Sequence, residues 1–307
     1  MHGLRKDRGC RLQGERKRRL KAVIEDLDLI APSDLGEALH LIASDPAWEP
    51  IAGGTDLMVL LNAGKLRGNR FVSIRHLQQL RRIAISEHQV TIGPAVTYTA
   101  IREDPVLRSE FPLLCIAASW TGGVANQNRG TIGGNIVNAS PAADSAPPLL
   151  AYDASLVLQS ERGERTIPYR EFHTGYKQMQ LARGELITAI HLPRRFAGWH
   201  HYGRKVGARK AQAISKVCLH GLLQLEGKTV AGIAIALGSV APTPVRCLGA
   251  EAELLGREIS PEVMARAKEA LSVEIKPIDD VRSTAHYRAR VARNLLGDFL
   301  SPAYDAR

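Results

Sequence analysis

Ala52-Gly53-Gly54-Thr55-Asp56-Leu57 and, about eighty residues on, Thr131-Ile132-Gly133-Gly134-Asn135 are the two stretches whose reading decides the fold. In each, an apolar approach gives way to paired glycines and then to a short polar residue. Backbone N–H groups there can converge on an anion with no Cβ in the way. Pro50-Ile51-Ala52 reads as a short strand entering the first loop and Leu57 to Leu61 as the helix leaving it. Thr55 and the N–H groups after it then sit at a helix start, where the dipole favours negative charge. Backbone donors to a charged oxygen contribute roughly 1.5–3 kcal/mol each, so several hold a pyrophosphate without a lysine. The pair reads as a dinucleotide cradle. Neither loop matches G-x-G-x-x-G, which disfavours a Rossmann fold. Gly227-Lys228-Thr229 is no P-loop either, because Leu222 stands where the leading glycine belongs.

Working outward, Ser33 or Asp34 caps a helix carrying Leu35, Ala38, Leu39 and Ile42 at helical spacing. Phe71 to Ile74, Arg82 to Ser86 and Gln89 to Ile92 read as strands, so a βαβ-like unit precedes a hairpin. Helical patterns cover Thr99 to Arg108 and Pro112 to Trp120. Beyond the second loop, Asp144 either caps the next helix or accepts hydrogen bonds from a ligand's hydroxyls. Ala154 to Gln159 and Arg165 to Ile167 form a hairpin, and Leu186 to Leu192 a strand ended by Pro193. Lys216 to Leu225 and Val230 to Ser239 form another hairpin around Glu226-Gly227-Lys228. Two helices close the chain, the last with Tyr287, Val291, Leu295 and Phe299 on its apolar stripe and Arg288, Arg290 and Arg293 on a solvated face.

At 307 residues the chain exceeds what one core usually organises. Its net charge of +10 invites a nucleic-acid reading, but the stretch from Met1 to Ala22 alone carries +7, leaving +3 for the other 285 residues. The expectation is a basic, disordered head over 1–22 on a globular chain of ordinary balance, with no nucleic-acid partner. No apolar stretch approaches the roughly 20 residues of a membrane span. Glu25, Asp26 and Asp28 follow Arg18-Arg19 too closely for an export signal. Cys10, Cys115, Cys218 and Cys247 are scattered, which excludes a written zinc or iron–sulfur motif and fits reduced thiols in a cytoplasmic protein. With no G-x-S-x-G and no H-E-x-x-H, chemistry falls to a cofactor that the chain positions.

Ala-Gly-Gly-Thr-Asp-Leu at 52–57, Arg-Gly-Thr-Ile-Gly-Gly-Asn at 129–135 running on to Ala-Ser-Pro-Ala-Ala-Asp at 139–144, Tyr202 to Lys205, Ala213 to Val217 and Tyr287 to Val291 are ordered motifs. In them the sequence resembles the FAD-binding (medium) subunit of the molybdenum hydroxylases, the family of xanthine dehydrogenase, carbon monoxide dehydrogenase and aldehyde oxidase. The resemblance runs from about Leu29 to Leu300. It implies an α+β fold, with an FAD-binding domain of the PCMH type (vanillyl-alcohol-oxidase-like) over 23–195, in α/β subdomains of about 23–85 and 86–195. A smaller α+β domain of the CO dehydrogenase flavoprotein type would follow over 198–303.

The same resemblance implies cofactor contacts. Ile51, Ala52, Gly53, Gly54, Thr55, Asp56 and Leu57, with Thr131, Gly133, Gly134 and Asn135, would cradle the FAD pyrophosphate. Asp144 would contact FAD, and Ile187 and Lys205 would lie near the isoalloxazine. Animal relatives place an aromatic against the flavin near position 121, where this chain has Thr121 beside Trp120. The implied function is electron transfer. A molybdopterin-binding large subunit would hydroxylate the substrate, a [2Fe-2S] small subunit would pass the electrons on, and FAD would deliver them to NAD, a quinone or oxygen. Two alternatives are a stand-alone flavoprotein resembling UDP-N-acetylenolpyruvoylglucosamine reductase and a cofactor-free basic binding protein.

Overall fold

The structure, a computed structural model, describes residues 27–209 and 212–305, with side chains described to Ser301. The basic head expected over 1–22 lies outside the described residues. The chain begins with β1 (Asp28–Ile30), β2 (Trp48–Ile51) and β3 (Arg70–Ser73), which form a parallel sheet in the order β1-β3-β2. The helix Leu35–Ser44 crosses between the first two and is capped by Asp34, which accepts the Glu37 N–H. It buries Ala38, Leu39 and Ile42 in a small core with Trp48 and Val72. The helix Leu57–Asn62 connects β2 to β3, so the first glycine loop is the tight turn of a β-α-β crossover.

The next sheet is wholly antiparallel. It contains β4 (Ile83–Ile85), β5 (Gln89–Ile92), β6 (Ser155–Ser160) and β7 (Gly163–Pro168). After the small hairpin of β8 (His173–Gly175) and β9 (Gln178–Met179) comes β10 (Leu186–Pro193), giving the order β4-β5-β10-β6-β7. Alternate residues Val90 and Ile92, Leu156 and Leu158, and Ile190 and Leu192 enter the largest core, as a half-buried strand requires. The pattern over Thr99 to Arg108 is two helices, Tyr98–Glu103 and Pro105–Glu110. Pro105 cannot continue the first turn ladder, and Asp104 caps the second helix through the N–H groups of Val106 and Leu107.

The C-terminal sheet is β11 (His200–Val206), β12 (Val217–Glu226), β13 (Thr229–Gly238) and β14 (Val245–Arg246), in that order and antiparallel. Its two faces enter different cores. Leu222, Ala234 and Ala236 join the first core, while Leu219, Leu223, Ile235 and Leu237 join a second one closed by the helices Leu248–Leu254, Pro261–Glu274 and Ala285–Asp305. Burial on both faces is why β12 and β13 read as nearly unbroken apolar runs. Phe299 lies directly over Gly221, where a Cβ would come within 2.6 Å of its ring. In the last helix Leu295 and Phe299 are buried as read, but the first turn of the stripe lies one position further on. Arg288 is 3% exposed while Tyr287 is 41% exposed, so the buried stripe is Arg288, Ala292, Leu295, Leu296 and Phe299.

Arg246 ties the C-terminal sheet to the helix Ala146–Ala151. It donates to the Leu150 carbonyl (2.7 Å), to Asp153 (2.9 Å) and to both oxygens of Glu251, whose carboxylate is itself buried. Arg246→Met strands that carboxylate and is expected to destabilise the protein by about 3–5 kcal/mol, read as a lower urea midpoint.

Candidate functional site: a cleft between the glycine loops and the C-terminal sheet

The alternation that sends odd residues of β12 into the C-terminal core points even ones the other way. Cys218 and His220, with Gly203 and Lys205 of β11 opposite them in register, face the first lobe. Beside that face, between the glycine loops and the segments that flank β12 and β13, lies a cleft of about 730 Å³, within the range of cofactor sites. Its walls include Thr55 and Asp56 from the first loop, Asn135 and Asp144 from the second loop and its continuation, Trp120, and Ser215, Ser239 and Arg288 from the C-terminal part.

The two loops pack against each other. A Cβ on Gly53 would overlap the Arg129 carbonyl and lie 2.8 Å from its carbon, so glycine is needed for the approach itself. Gly54 has φ +72, a conformation that costs other residues. Among the described residues, nothing in the chain accepts from the backbone N–H groups of Gly53, Gly54, Thr55 and Asp56. Ile51 ends β2, Ala52 packs on the small core and Leu57 begins the outgoing helix, so these three hold the loop from behind.

The second loop is organised differently. Thr131 caps the helix Ile132–Asn138 by accepting the Gly134 N–H (3.2 Å), and the N–H groups of Ile132 and Gly133 go to the carbonyls of Val96 (3.1 Å) and Pro94 (2.9 Å). A Cβ at Gly133 would stand 2.8 Å from that Pro94 oxygen. The loop is thus sewn to residues 94–96, and Asn135 is the member that reaches the cleft wall.

Asp144 does not cap the following helix, whose cap position is Ser145. Instead its Oδ2 accepts from Lys205 Nζ at 2.7 Å, and the same ammonium donates to the Trp120 carbonyl at 3.3 Å. Both charged side chains are 10% exposed. Asp144 Oδ1 is buried without a partner. Burial pushes the Asp144 carboxyl up to about 6, and Lys205 offsets only part of that. In the flavin-free protein the folded state keeps a proton that the unfolded chain has lost between the ordinary value of 3.8 and about 6. Stability is therefore expected to fall as pH rises through that window, and Asp144→Asn to flatten the slope in urea titrations at stepped pH.

Trp120 lines the cleft with its ring 5.5 Å from that of His220, which is fully buried and held neutral because burial pushes its pKa down to about 3. Of the expected site residues, Thr55, Asp56, Asn135 and Asp144 line the cleft; Ile187 lies in the first core on β10, and the loop glycines, Thr131 and Lys205 stand behind the wall. Ser215, Ser239 and Arg288 were not among the expected site residues. The segments 213–217 and 287–291 did signal Ser215 and Arg288, and Arg288 joins the two by donating to the Lys216 carbonyl at 2.6 Å, whereas Ser239, at the end of a strand pattern, carried no signal of its own.

The fold and the cleft define a class, a two-lobed protein whose cofactor-sized cleft is walled by a glycine loop and a buried carboxylate. The sequence model of the FAD binding domain in molybdopterin dehydrogenase matches residues 24–195, and that of the CO dehydrogenase flavoprotein C-terminal domain matches residues 203–303. The chain belongs to the family of FAD-binding medium subunits of the xanthine and carbon monoxide dehydrogenases. The xanthine dehydrogenase FAD-binding subunit of Escherichia coli O157:H7 is 32% identical over 276 residues, covering 89% of this chain and 94% of the relative. The carbon monoxide dehydrogenase medium chain of Hydrogenophaga pseudoflava is 30% identical over 280 residues, covering 89% and 96%. A solved structure of carbon monoxide dehydrogenase from that organism, lacking the Mo-pyranopterin moiety, superposes with a TM-score of 0.86 at 29% identity over 91% of this chain and 97% of that one. The cofactor is FAD. Membership of this family sets aside the reductase-like and cofactor-free readings. Among the described residues no helix is long and apolar enough to cross a membrane.

Proposed function

We propose that this chain is the last electron-transfer station of a molybdenum hydroxylase, holding FAD in the 730 Å³ cleft. It would take electrons from the [2Fe-2S] clusters of a small partner subunit and pass them to NAD, a quinone or oxygen. A molybdopterin-binding large subunit would carry the hydroxylation. The observation that supports this most is that the first loop, whose Gly53 to Asp56 N–H groups have no acceptor among the described residues, brings Thr55 and Asp56 to the same cleft wall as Asp144 with its unpartnered carboxylate oxygen. Donors suit a pyrophosphate and the lone acceptor suits a ligand hydroxyl or ring N–H, so the residues fit the cofactor.

When bound, FAD supplies a centre that takes electrons singly and releases them in pairs. The chain's own part is positional. Gly53 to Asp56 present the donors, with Ile51, Ala52 and Leu57 fixing the turn. Thr131, Gly133 and Gly134 hold the second loop in place, and Asn135 offers its amide at the wall. Lys205 keeps Asp144 in the cleft, and Trp120 gives it an aromatic side. Ile187, in the core, supports β10 without reaching the cleft. In this reading the purified full chain binds FAD saturably but hydroxylates nothing until the partner subunits are added. A chain that neither contains nor takes up FAD, or one that hydroxylates a substrate alone, would overturn it.

A further inference from the structure

The C-terminal wall of the cleft has features that holding the pyrophosphate on the first loop does not use. Ser215, Ser239 and Arg288 are 1%, 9% and 3% exposed, and Ser239 Oγ and Arg288 Nε are closed to water with no hydrogen-bond partner, while Ser215 Oγ, equally closed, has only the Cys218 thiol beside it. They form one cluster. Arg288 Nη1 donates to the Lys216 carbonyl and, at 2.9 Å, to the Ser239 carbonyl, which fastens the ends of β12 and β13 to the last helix. Ser239 has φ +65, a conformation that a β-carbon makes unfavourable. It is held there by Arg288 and by its own N–H, which donates to the Pro141 carbonyl at 2.8 Å. Strain, unpaired hydroxyls and a buried guanidinium thus coincide at one place on the wall.

The charge there is unbalanced. Arg288 and Arg282 share the single carboxylate of Asp280, each at 2.7–2.8 Å, and Lys276 also lines the cleft, its N–H anchored to the Val240 carbonyl. On this wall three cations stand with one carboxylate, the cleft's other carboxylates, Asp56 and Asp144, belonging to the first lobe, and that local excess favours an anion. This wall belongs to the C-terminal part, whereas the free N–H groups that suit the pyrophosphate belong to the first glycine loop. A second anion is called for.

We propose that the Ser215 and Ser239 hydroxyls and the Arg288 guanidinium, with Lys276 and Arg282 at the rim, form a cup for the phosphate or carboxylate group of the molecule that receives electrons from the flavin. The inference rests on reading the cleft as the FAD site. A slight turn of each serine hydroxyl toward the cleft gives an oxyanion two donors beside the cations. The cup binds and orients, and it exchanges no proton in the transfer. Oxygen and a neutral quinone make no use of such a cup, so the wall selects an anionic acceptor.

The test uses the full chain loaded with FAD, its flavin content read from visible absorbance in every sample. Inorganic phosphate is titrated by calorimetry into the wild type, Ser215→Ala/Ser239→Ala and Lys276→Gln/Arg282→Gln, the second pair being exposed. Saturable phosphate binding, weakened about tenfold in each double variant with flavin content unchanged, is the expected result. The flavin is then photoreduced, and its reoxidation by ferricyanide, an anion, is compared with that by menadione, a neutral quinone. Phosphate is expected to slow ferricyanide at least severalfold and leave menadione alone, and the slowing is expected to vanish in both variants. Phosphate affinity equal in all three proteins, or no saturable binding, would overturn the cup. Phosphate binding that slows neither oxidant would make it a site for free anion and overturn the acceptor assignment. Loss of FAD from the serine variant would return these residues to the cofactor site itself. Absence of FAD from the wild type would instead count against the reading on which the inference rests.

Discussion

Gly53→Ala is expected to abolish retention of FAD. An added Cβ would overlap the Arg129 carbonyl, and its neighbours there are backbone atoms, 2.8 Å from the carbonyl carbon and 3.0 Å from the Gly130 Cα. No side chain can swing aside to relieve the overlap, so one loop must move off the other. Separation displaces the free N–H groups of Gly53 to Asp56. Losing two charge-assisted hydrogen bonds costs about 3–5 kcal/mol, equivalent to two or more orders of magnitude in affinity. The overpacking itself costs roughly 1–3 kcal/mol of stability.

Neighbouring glycines calibrate the result. A Cβ at Gly54 would make ordinary contact with Ile51 at 3.5 Å, leaving only the left-handed φ to penalise alanine, about 1–2 kcal/mol. Gly53→Ala should therefore lose far more FAD than Gly54→Ala, read as flavin remaining after desalting and by titration of the flavin-free chain. Equal losses at the two positions would mean that the loops do not depend on their mutual approach. Gly133→Ala belongs with Gly53→Ala, since its Cβ would press on Pro94.

These glycines show how far the sequence could be read. Paired glycines after an apolar strand pointed to the cradle, and the β-α-β crossover around the first loop is as expected. What spacing could not convey is that Gly53 and Gly133 serve packing against Arg129 and Pro94, because the segment lying over a glycine is set by tertiary structure. Asp144 has the same lesson in charge. Capping is a local pattern and so suggested itself, whereas Lys205, 61 residues away, is a partner only because β11 turns that side chain toward the first lobe. Arg288 was misplaced for a third reason. A helical stripe of Tyr287, Val291, Leu295 and Phe299 is as periodic as the buried one of Arg288, Ala292, Leu295 and Phe299. Periodicity treats an arginine as solvated unless its buried acceptors, the carbonyls of Lys216 and Ser239, are known.

Lys205→Met is expected to destabilise the protein in a manner that grows with pH. The pair is buried, and its carboxyl already titrates at about 6 with the lysine in place, so burial outweighs the attraction that Lys205 supplies. At pH 8 the wild-type carboxylate is ionised and paired. Without Lys205 it must either stay charged in a closed site or hold a proton, at a cost of about 3 kcal/mol. At pH 5 the wild-type carboxyl is mostly protonated, the lysine has little to neutralise, and the same substitution costs far less. Lys205→Met/Asp144→Asn removes both charges and should recover most of the loss at pH 8, giving a large coupling energy in a double-mutant cycle. Urea unfolding of the flavin-free chain at the two pH values reads all three variants. A loss from Lys205→Met that is the same at both would show that its methylene packing, and not its hold on Asp144, is what the cleft requires. The flavin adds an independent reading. Because Lys205 holds Asp144 at the cleft wall, the single lysine variant should weaken FAD binding, and the double variant should regain stability without regaining FAD affinity.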